Sequence, residues 1–302
     1  MQIDVLCTPN SWYLRDLRRA AAGDHQIARI DFRRLMSLVD RAGTATACAD
    51  RPVLQSDAVL VRTMPPGSLE QVVFRMDALG QIEESGVVVL NPPRAIETAV
   101  DKFLGTARLR RAGMRVPRTA VCQESDEAME AFRRLGGDVV IKPLFGSEGR
   151  GITRICDEAL ALRAVKMLAG LGAVLYLQEY VPHNGYDLRL LVIGRHVLGI
   201  RRRNPHDWRT NVSRGAIAER IEVTDDLARM ARQAADAVGA PLAGVDLLPA
   251  RDGELYALEV NAVPGWRALA RTLEVDVARM VLQLTASLAD KTRDLAETGG
   301  AR

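Results

Sequence analysis

The longest apolar runs in this chain are four to six residues, as in Val87-Val88-Val89-Leu90, and they recur between stretches of helical periodicity. That spacing restricts the chain to sheets of short buried strands with helices laid against them. A membrane helix needs roughly 18 or more consecutive apolar residues, so no spanning segment is expected. Up to about Pro93 the pattern predicts strands over 3–7, 58–62 and 87–90 and helices over 12–22 and 69–84, which is α/β wiring. Asn91-Pro92-Pro93 then marks a boundary ahead of a helix over 95–112.

Beyond it the order changes. Strands over 118–122 and 139–142 flank a helix over 126–135 that Gly136-Gly137 stops, and a further helix covers 158–171. Strands over 175–180, 188–193 and 196–201 follow, the last two joined through Ile193-Gly194-Arg195-His196 as a tight hairpin. Thr224 caps a helix running to Val238, Gly239 ends it, and strands over 245–248 and 255–261 form a closing hairpin, so this part is α+β. With 302 residues, 48% hydrophobic and 26% charged, the chain has material for two or three modest lobes.

Composition also excludes function classes. Cys7, Cys48, Cys122 and Cys156 lie far apart with no C-x-x-C pair, which argues against a zinc site or a disulfide framework and fits a reducing cytoplasm. Met1-Gln2-Ile3-Asp4-Val5-Leu6 lacks the basic region and long apolar stretch of a signal peptide and reads as a first strand. A net charge of +3 from 41 basic and 38 acidic residues is too balanced for a nucleic-acid footprint over the whole surface, so anion binding is expected to be local.

Four stretches carry chemistry. Val139-Val140-Ile141-Lys142 reads as a buried strand delivering a lysine into Pro143-Leu144-Phe145-Gly146-Ser147-Glu148-Gly149-Arg150-Gly151. Glycines at 146, 149 and 151 let backbone N–H groups approach phosphate oxygens, with the lysine as a point charge. No Gly-Lys-Ser/Thr ends the loop, so it is not a Walker A motif, and a plain hairpin tip is the competing reading. In Gly244-Val245-Asp246-Leu247-Leu248 and Leu258-Glu259-Val260-Asn261, isolated acidic groups sit in apolar strands. Period two puts Glu259 and Asn261 on one face, and pairing through the intervening turn can bring Asp246 to it. Such oxygens suit magnesium, although an ion pair with an arginine also accounts for them. Finally, seven arginines from 189 to 214, with Asn211, suit planar carboxylates and transferring phosphoryl groups, or else a basic solvated loop. Leu177-Gln178-Glu179-Tyr180-Val181 reads either as a strand end facing an adenine edge or as an ordinary edge strand.

Taken in order, Asp101-Lys102, Gly113 to Thr119, the Lys142 loop, Gln178 to Val181, Asp187-Leu188-Arg189, Asn211 to Gly215, Gly244-Val245-Asp246 and Glu259 to Trp266 resemble the ATP-grasp superfamily. The chain is most similar there to the RimK-type α-L-glutamate ligases, over about 97–290. The resemblance implies an ATP-grasp fold with a Rossmann-like N-terminal lobe over 1–96, a central subdomain over 97–179, a C-terminal subdomain over 180–290 and a tail over 291–302. It implies that Lys102 and Lys142, with Gly146, Ser147, Gly149 and Gly151, hold ATP phosphates, that Gln178, Glu179, Tyr180 and Val181 contact adenine, and that Asp187 contacts the nucleotide. Asp246, Glu259 and Asn261 would bind two Mg2+ ions, with Mn2+ as a substitute, and Arg189, Arg203, Asn211 and Arg214 would serve the γ-phosphate and the substrate carboxylate.

The expected activity is that of a cytoplasmic, ADP-forming carboxylate-amine ligase that adds an amino acid, L-glutamate first, to a small-molecule carboxylate acceptor through an acyl phosphate. Nucleic acid and membrane are not expected partners, and a homodimer or homotetramer is. Leu60-Val61-Arg62-Thr63-Met64-Pro65-Pro66-Gly67 leans toward the branch that modifies a pterin or furan one-carbon carrier. The alternatives are glutamylation of a ribosomal or other protein C-terminus, and a non-catalytic ATP-binding regulator.

Overall fold

The computed structural model describes residues 1–41, 43–48, 51–146 and 149–299. The first third runs β1 (Gln2–Leu6), α1 (Trp12–Ala21), β2 (Gln26–Ile30), β3 (Leu35–Asp40), β4 (Gly43–Cys48), β5 (Arg51–Pro52), β6 (Ala58–Val61), α2 (Leu69–Glu84) and β7 (Val88–Leu90). Strands β2, β1, β6 and β7 form one parallel sheet in that order, as the α/β wiring predicts. Ser11 and Ser68 start the two helices by accepting from the Leu14 and Gln71 amides, and Gln71 returns the bond to the Ser68 amide as a capping box. Strands β3, β4 and β5 make a small antiparallel sheet that the periodicity does not announce.

The middle of the chain runs α3 (Pro93–Val100), α4 (Lys102–Arg111), β8 (Thr119–Cys122), α5 (Ser125–Arg134), β9 (Val139–Lys142), β10 (Thr153–Ile155), α6 (Glu158–Gly170) and β11 (Leu175–Glu179). The single helix expected over 95–112 is two. Asp101 leaves the helical conformation at φ −82°, ψ 105° and its carboxylate caps a new helix, accepting from Phe103 N at 2.8 Å and Leu104 N at 3.0 Å. Lys102 thereby becomes the first residue of α4. Strands β10, β9, β11 and β8 form an antiparallel sheet with its own core of Phe132, Val139, Ile141, Val165, Leu175 and Leu177.

The last part runs β12 (Tyr186–Ile193), β13 (His196–Arg203), β14 (Ile217–Arg220), α7 (Asp225–Val238), β15 (Leu242–Pro249), β16 (Leu255–Asn261), α8 (Arg267–Leu273) and α9 (Val277–Gly299). The sheet order β14-β13-β12-β15-β16 is antiparallel throughout, and Gly194 at φ +57° closes the two-residue turn expected between β12 and β13. Residues 291–299, read from sequence as part of a tail, continue α9 as helix. Leu284 and Leu288 on its inner face pack on the core that also holds Leu17 and Trp266, which extends the helix beyond what its polar residues suggest. No helix among the described residues is long and apolar enough to cross a membrane.

One core joins the first sheet to the third: Val59, Val61, Leu79 and Ile82 pack into the same cluster as Leu190, Val245, Leu247 and Val260. The sheet of β8 to β11 stands apart on its own core and faces the third sheet across a cleft. Helix α4 precedes that middle sheet in the chain but packs against α7 and β16. It carries Lys102 to the cleft from the side of the third sheet.

Candidate active site

Strand register fixes one wall of the cleft. Asp246 lies opposite Glu259, Gly244 opposite Asn261, Arg189 opposite Asp246, and Asp187 opposite Arg202. Alternation therefore puts all of these side chains on one face of the third sheet, while Leu190, Val245 and Val260 point to the core behind it. Gly244 has a local reason. A Cβ there would overlap the Arg189 guanidinium, which lies across the strand.

The charges on this face are mostly paired. Arg189 Nη1 donates to Asp246 Oδ1 at 2.7 Å, and Arg202 Nη2 lies 2.9 Å from Asp246 Oδ2. Arg202 also forks onto Asp187 at 2.8 and 2.5 Å, and Thr210 Oγ1 donates to Asp187 Oδ2 at 2.6 Å. Burial alone raises the Asp246 carboxyl, but the Arg189 and Arg202 guanidiniums outweigh it and hold the group below its ordinary value. Glu259 differs. Among the described residues its carboxylate has no hydrogen-bond or ion-pair partner, and burial, then the neighbouring Asp246 charge, raises its pKa against the pull of Lys102, Lys142 and Arg189. Asn261 Oδ1 accepts from Val263 N at 2.7 Å.

The arginine ion pair left open by the sequence is thus what Asp246 makes, and Glu259 does not share it. Two carboxylates held face to face with an amide oxygen beside them form a hard-oxygen set, and the unpartnered Glu259 charge fits a divalent cation. Among the described residues no three His, Cys, Asp or Glu side chains form a metal-binding group, so such an ion would complete its shell from the amide and from ligand oxygens.

The opposite wall is the middle sheet. Lys142 leaves β9 and donates from Nζ to Gln178 Oε1 at 2.6 Å, while Gln178 Nε2 donates to Thr119 Oγ1 at 3.0 Å and Tyr176 Oη at 3.2 Å. Burial pushes Lys142 down to about 8, with Lys102 adding to the effect and Glu259 and Asp246 opposing it. Lys102 is lowered too, by burial against Glu259 and Asp101, and its Nζ donates to Gly146 O at 2.8 Å and Leu144 O at 3.3 Å. Both lysines therefore sense Glu259 on the third sheet. Among the described residues, the Val181 N–H at the end of β11 makes no hydrogen bond, leaving a free donor where the chain leaves the sheet.

A loop from each sheet closes one end of the cleft. Arg214 Nη2 donates to Gly149 O and Arg209 Nη1 to Ile152 O, both at 3.3 Å. Gly149, at φ +70°, lies so close to Asn211 that a Cβ would sit 2.5 Å from its Oδ1. Ser147 lies outside the described residues, while Gly146 and Gly151 adopt φ +147° and +71°, backbone open mainly to glycine.

Several expected residues are not in the cleft by their side chains. Arg203 sits on the opposite face of β13, where it and Arg201 both bind Glu219, at 2.9 and 2.6 Å. The cause is strand parity, since one step along β13 reverses the face. Arg202 takes the place expected for Arg203. Glu179 turns its carboxylate to Arg118, and the Tyr180 ring packs between the Arg154 guanidinium at 3.5 Å and Trp208 at 5.9 Å. Asp187 is committed to Arg202 and Thr210. Sequence reasoning missed Arg202, Thr210, Tyr176 and Thr119, yet counting back from the two-residue turn at Gly194-Arg195 pairs Asp187 with Arg202 and would have found the first. A separate cavity of about 510 Å³ between α5 and α6, lined by Met129, Arg133 and Glu158, is far from these groups and gathers no comparable chemistry.

Comparison with known proteins gives a consistent picture. Residues 99–285 match the family described as RimK-like ATP-grasp domain. The chain is 34% identical to the tetrahydromethanopterin:alpha-L-glutamate ligase of Methanococcus maripaludis, over 77% of this chain and 80% of that one. It is 30% identical to the ribosomal protein bS6–L-glutamate ligase of Salmonella paratyphi B, over 94% and 95% of the two chains. Among solved structures, the ATP-grasp ligase PsnB complexed with minimal precursor, Mg and ADP superposes with a TM-score of 0.73 at 22% identity, covering 96% of this chain and 97% of that one, a likeness of fold.

Proposed function

Because this chain belongs to the RimK-like ATP-grasp family of ligases, we propose that it joins L-glutamate to a small carboxylate-bearing acceptor of the pterin type, with ATP converted to ADP and phosphate. The observation that carries the reading is the unpartnered Glu259 beside Asp246, under the pull of Lys142 from the opposite wall and of Lys102 from its own side. A pure nucleotide binder has no need for a half-buried, unpaired carboxylate at that cost. The pterin acceptor is favoured by the 34% identity to the methanogen enzyme, and a protein C-terminus of the ribosomal type is the second reading.

In the first step an acceptor carboxylate oxygen bonds to the γ-phosphorus and the bond to ADP breaks, its electron pair leaving on the β-phosphate oxygen. The glutamate amine then attacks the acyl carbon, phosphate departs with the C–O electrons, and the amine proton passes to solvent. Lys142 and Lys102 hold phosphate oxygens, and the Val181 N–H donates to the adenine edge. Gly149, Gly151 and the Arg209–Arg214 side close the end of the cleft and exclude water that would hydrolyse the acyl phosphate. Asp246, Glu259 and Asn261 would hold Mg2+, which would offset the negative charge that builds up during phosphoryl transfer. Asp187 acts at one remove, by fixing Arg202 and through it Asp246.

The test is a mass-spectrometric search for a glutamyl increment after incubation with ATP, Mg2+ and L-glutamate, using a pterin carrier in one arm and a ribosomal-protein C-terminal peptide in the other. The increment is expected in the pterin arm, and Glu259→Gln should lower turnover by about 10² to 10³ while circular dichroism stays native. ADP release that ignores every acceptor, or a fully active Glu259→Gln enzyme, overturns the reading.

A further inference from the structure

The Leu60–Gly67 stretch plays no part in the site described so far. It begins at the carboxyl end of β6, next to the carboxyl end of β1, where the strand order of the parallel sheet reverses. Ligands of open parallel sheets bind in the crevice outside such a point. Thr63, Pro66 and Gly67 are exposed there, and Arg75 holds the turn by donating from Nη1 to Pro65 O at 2.8 Å.

Arg62 is the residue at this crevice that folding alone does not explain. Its side chain is buried, with 5% of the residue exposed, and among the described residues it faces no carboxylate. Nη2 donates to Pro264 O at 2.6 Å, but Nε and Nη1 have no hydrogen-bond partner. The guanidinium lies against the rings of Tyr13 at 4.6 Å and Trp266 at 4.3 Å, which themselves meet edge to face at 4.8 Å. Burial lowers its pKa to about 10, so it remains a cation at neutral pH. A buried cation without a counter-charge is destabilising, and an aliphatic residue of similar volume would cost the fold less.

The surroundings favour an anion as the missing partner. Burial raises the Cys7 thiol at the end of β1, and Arg29, Arg18 and Arg62 all pull against that rise, so the local field is positive. Helix α1 begins here behind its Ser11 cap, presenting its N-terminal amides. Trp266 is fully buried, whereas Tyr13 is only half-buried, so the approach to Arg62 is from the Tyr13 side. Pro264, which Arg62 holds, is three residues beyond Asn261, a span of at most about 10 Å. The crevice therefore lies close to the acidic end of the cleft. Of the cations in the cleft, Arg189 and Arg202 are paired with Asp246 and Asp187, Lys102 and Lys142 bind the loop and Gln178, and Arg214 donates to Gly149 O.

We propose that Arg62 is a substrate-binding residue that takes a non-reacting carboxylate in the crevice between Tyr13 and the carboxyl ends of β1 and β6, with the Tyr13 ring moving aside to admit it. This rests on the ligase reading above for the source of the carboxylate, which is either L-glutamate or the glutamyl tail of a pterin acceptor.

The test uses the full chain and its Arg62→Lys and Arg62→Met variants, titrated calorimetrically with L-glutamate and with a pterin monoglutamate in the presence of Mg2+ and ADP. Binding of one of the two should weaken at least tenfold in Arg62→Met and less in Arg62→Lys, with ADP affinity within about twofold of the parent in both, and the ligand affected identifies the source. Unchanged affinity for both ligands in Arg62→Met with native ADP binding, or binding of neither to the parent protein, overturns the inference. If Arg62→Met does not bind ADP, Arg62→Lys alone decides by the same criterion. A parent that binds a carboxylate through Arg62 yet ligates nothing would defeat the ligase reading and leave this site standing. Ligation with normal KM for glutamate and acceptor in the variants would do the reverse.

Discussion

Lys142 sits where its charge is expensive, and that expense gives the nucleotide a pH-dependent grip. Burial pushes its pKa from the ordinary 10.5 to about 8, so in the ligand-free protein the ammonium is lost as pH rises through 8. The folded state then binds fewer protons than the unfolded chain between about 8 and 10.5, and stability of the ligand-free protein rises with pH across that window. Phosphate binding runs the other way, because it requires the protonated lysine. Affinity for Mg·ADP should therefore fall between pH 7.5 and 9.5, by up to about tenfold per unit once above 8, while affinity for adenosine, which has no phosphate, stays level. Calorimetry at several pH values checks this, and parallel profiles for the two ligands would remove Lys142 from the phosphate site. The residue itself was legible: a lysine ending the apolar strand Val139–Lys142 ahead of glycines announces an anion site. What the linear pattern could not carry is its bond to Gln178, which depends on β9 and β11 being neighbours.

At the scale of elements, parity along a strand decides roles that proximity in sequence cannot. Arg201, Arg202 and Arg203 look equivalent as a run, yet only Arg202 faces the cleft, where it joins Asp187 to Asp246 with 9% of its side chain exposed. Arg203 shares Glu219 with Arg201 on the other face and is 43% exposed. Replacing Arg202 with Met leaves two buried carboxylates short of a partner and should cost about 3–5 kcal/mol with loss of turnover. Arg203→Ala should cost at most about 1 kcal/mol and leave turnover near the parent value. Denaturant unfolding and steady-state kinetics separate the two, and an inactive, stable Arg203→Ala protein would return that residue to the site. The same contrast explains which elements could be read. Helix α2 and strands β9 and β16 have a capping box or short apolar runs that fix their bounds. Strands β3 and β4 are mostly exposed and built of Thr, Ser and Ala as much as of apolar residues, so neither period nor burial marks them. The break between α3 and α4 is set by one capping carboxylate inside an otherwise continuous helical pattern.

Across the whole molecule, the middle sheet has a core of its own, whereas the first and third sheets share one. Closure of the cleft is therefore a relation between two bodies, carried by a few contacts: Lys102 to Gly146 O, Arg214 to Gly149 O and Arg209 to Ile152 O. The sequence marks both loops as functional but says nothing of their contact, since they lie some 60 residues apart in the chain. Gly149 is the tightest point, with positive φ and Asn211 Oδ1 where a Cβ would be. In Gly149→Ala the backbone strain and the overlap together are worth about 1–3 kcal/mol and act on the closed arrangement. KM for ATP should rise about tenfold or more, since tenfold corresponds to about 1.4 kcal/mol, while the unfolding midpoint moves little because neither core is touched. Hydrogen exchange supplies the direct readout. In the parent protein, Mg·ADP should slow exchange at Gly149–Ile152 and at Arg209–Arg214 together, and in Gly149→Ala the second stretch should lose its protection. Protection confined to the Gly149 side in the parent protein would mean that the two loops respond to nucleotide independently and that the arginine contacts do not couple them.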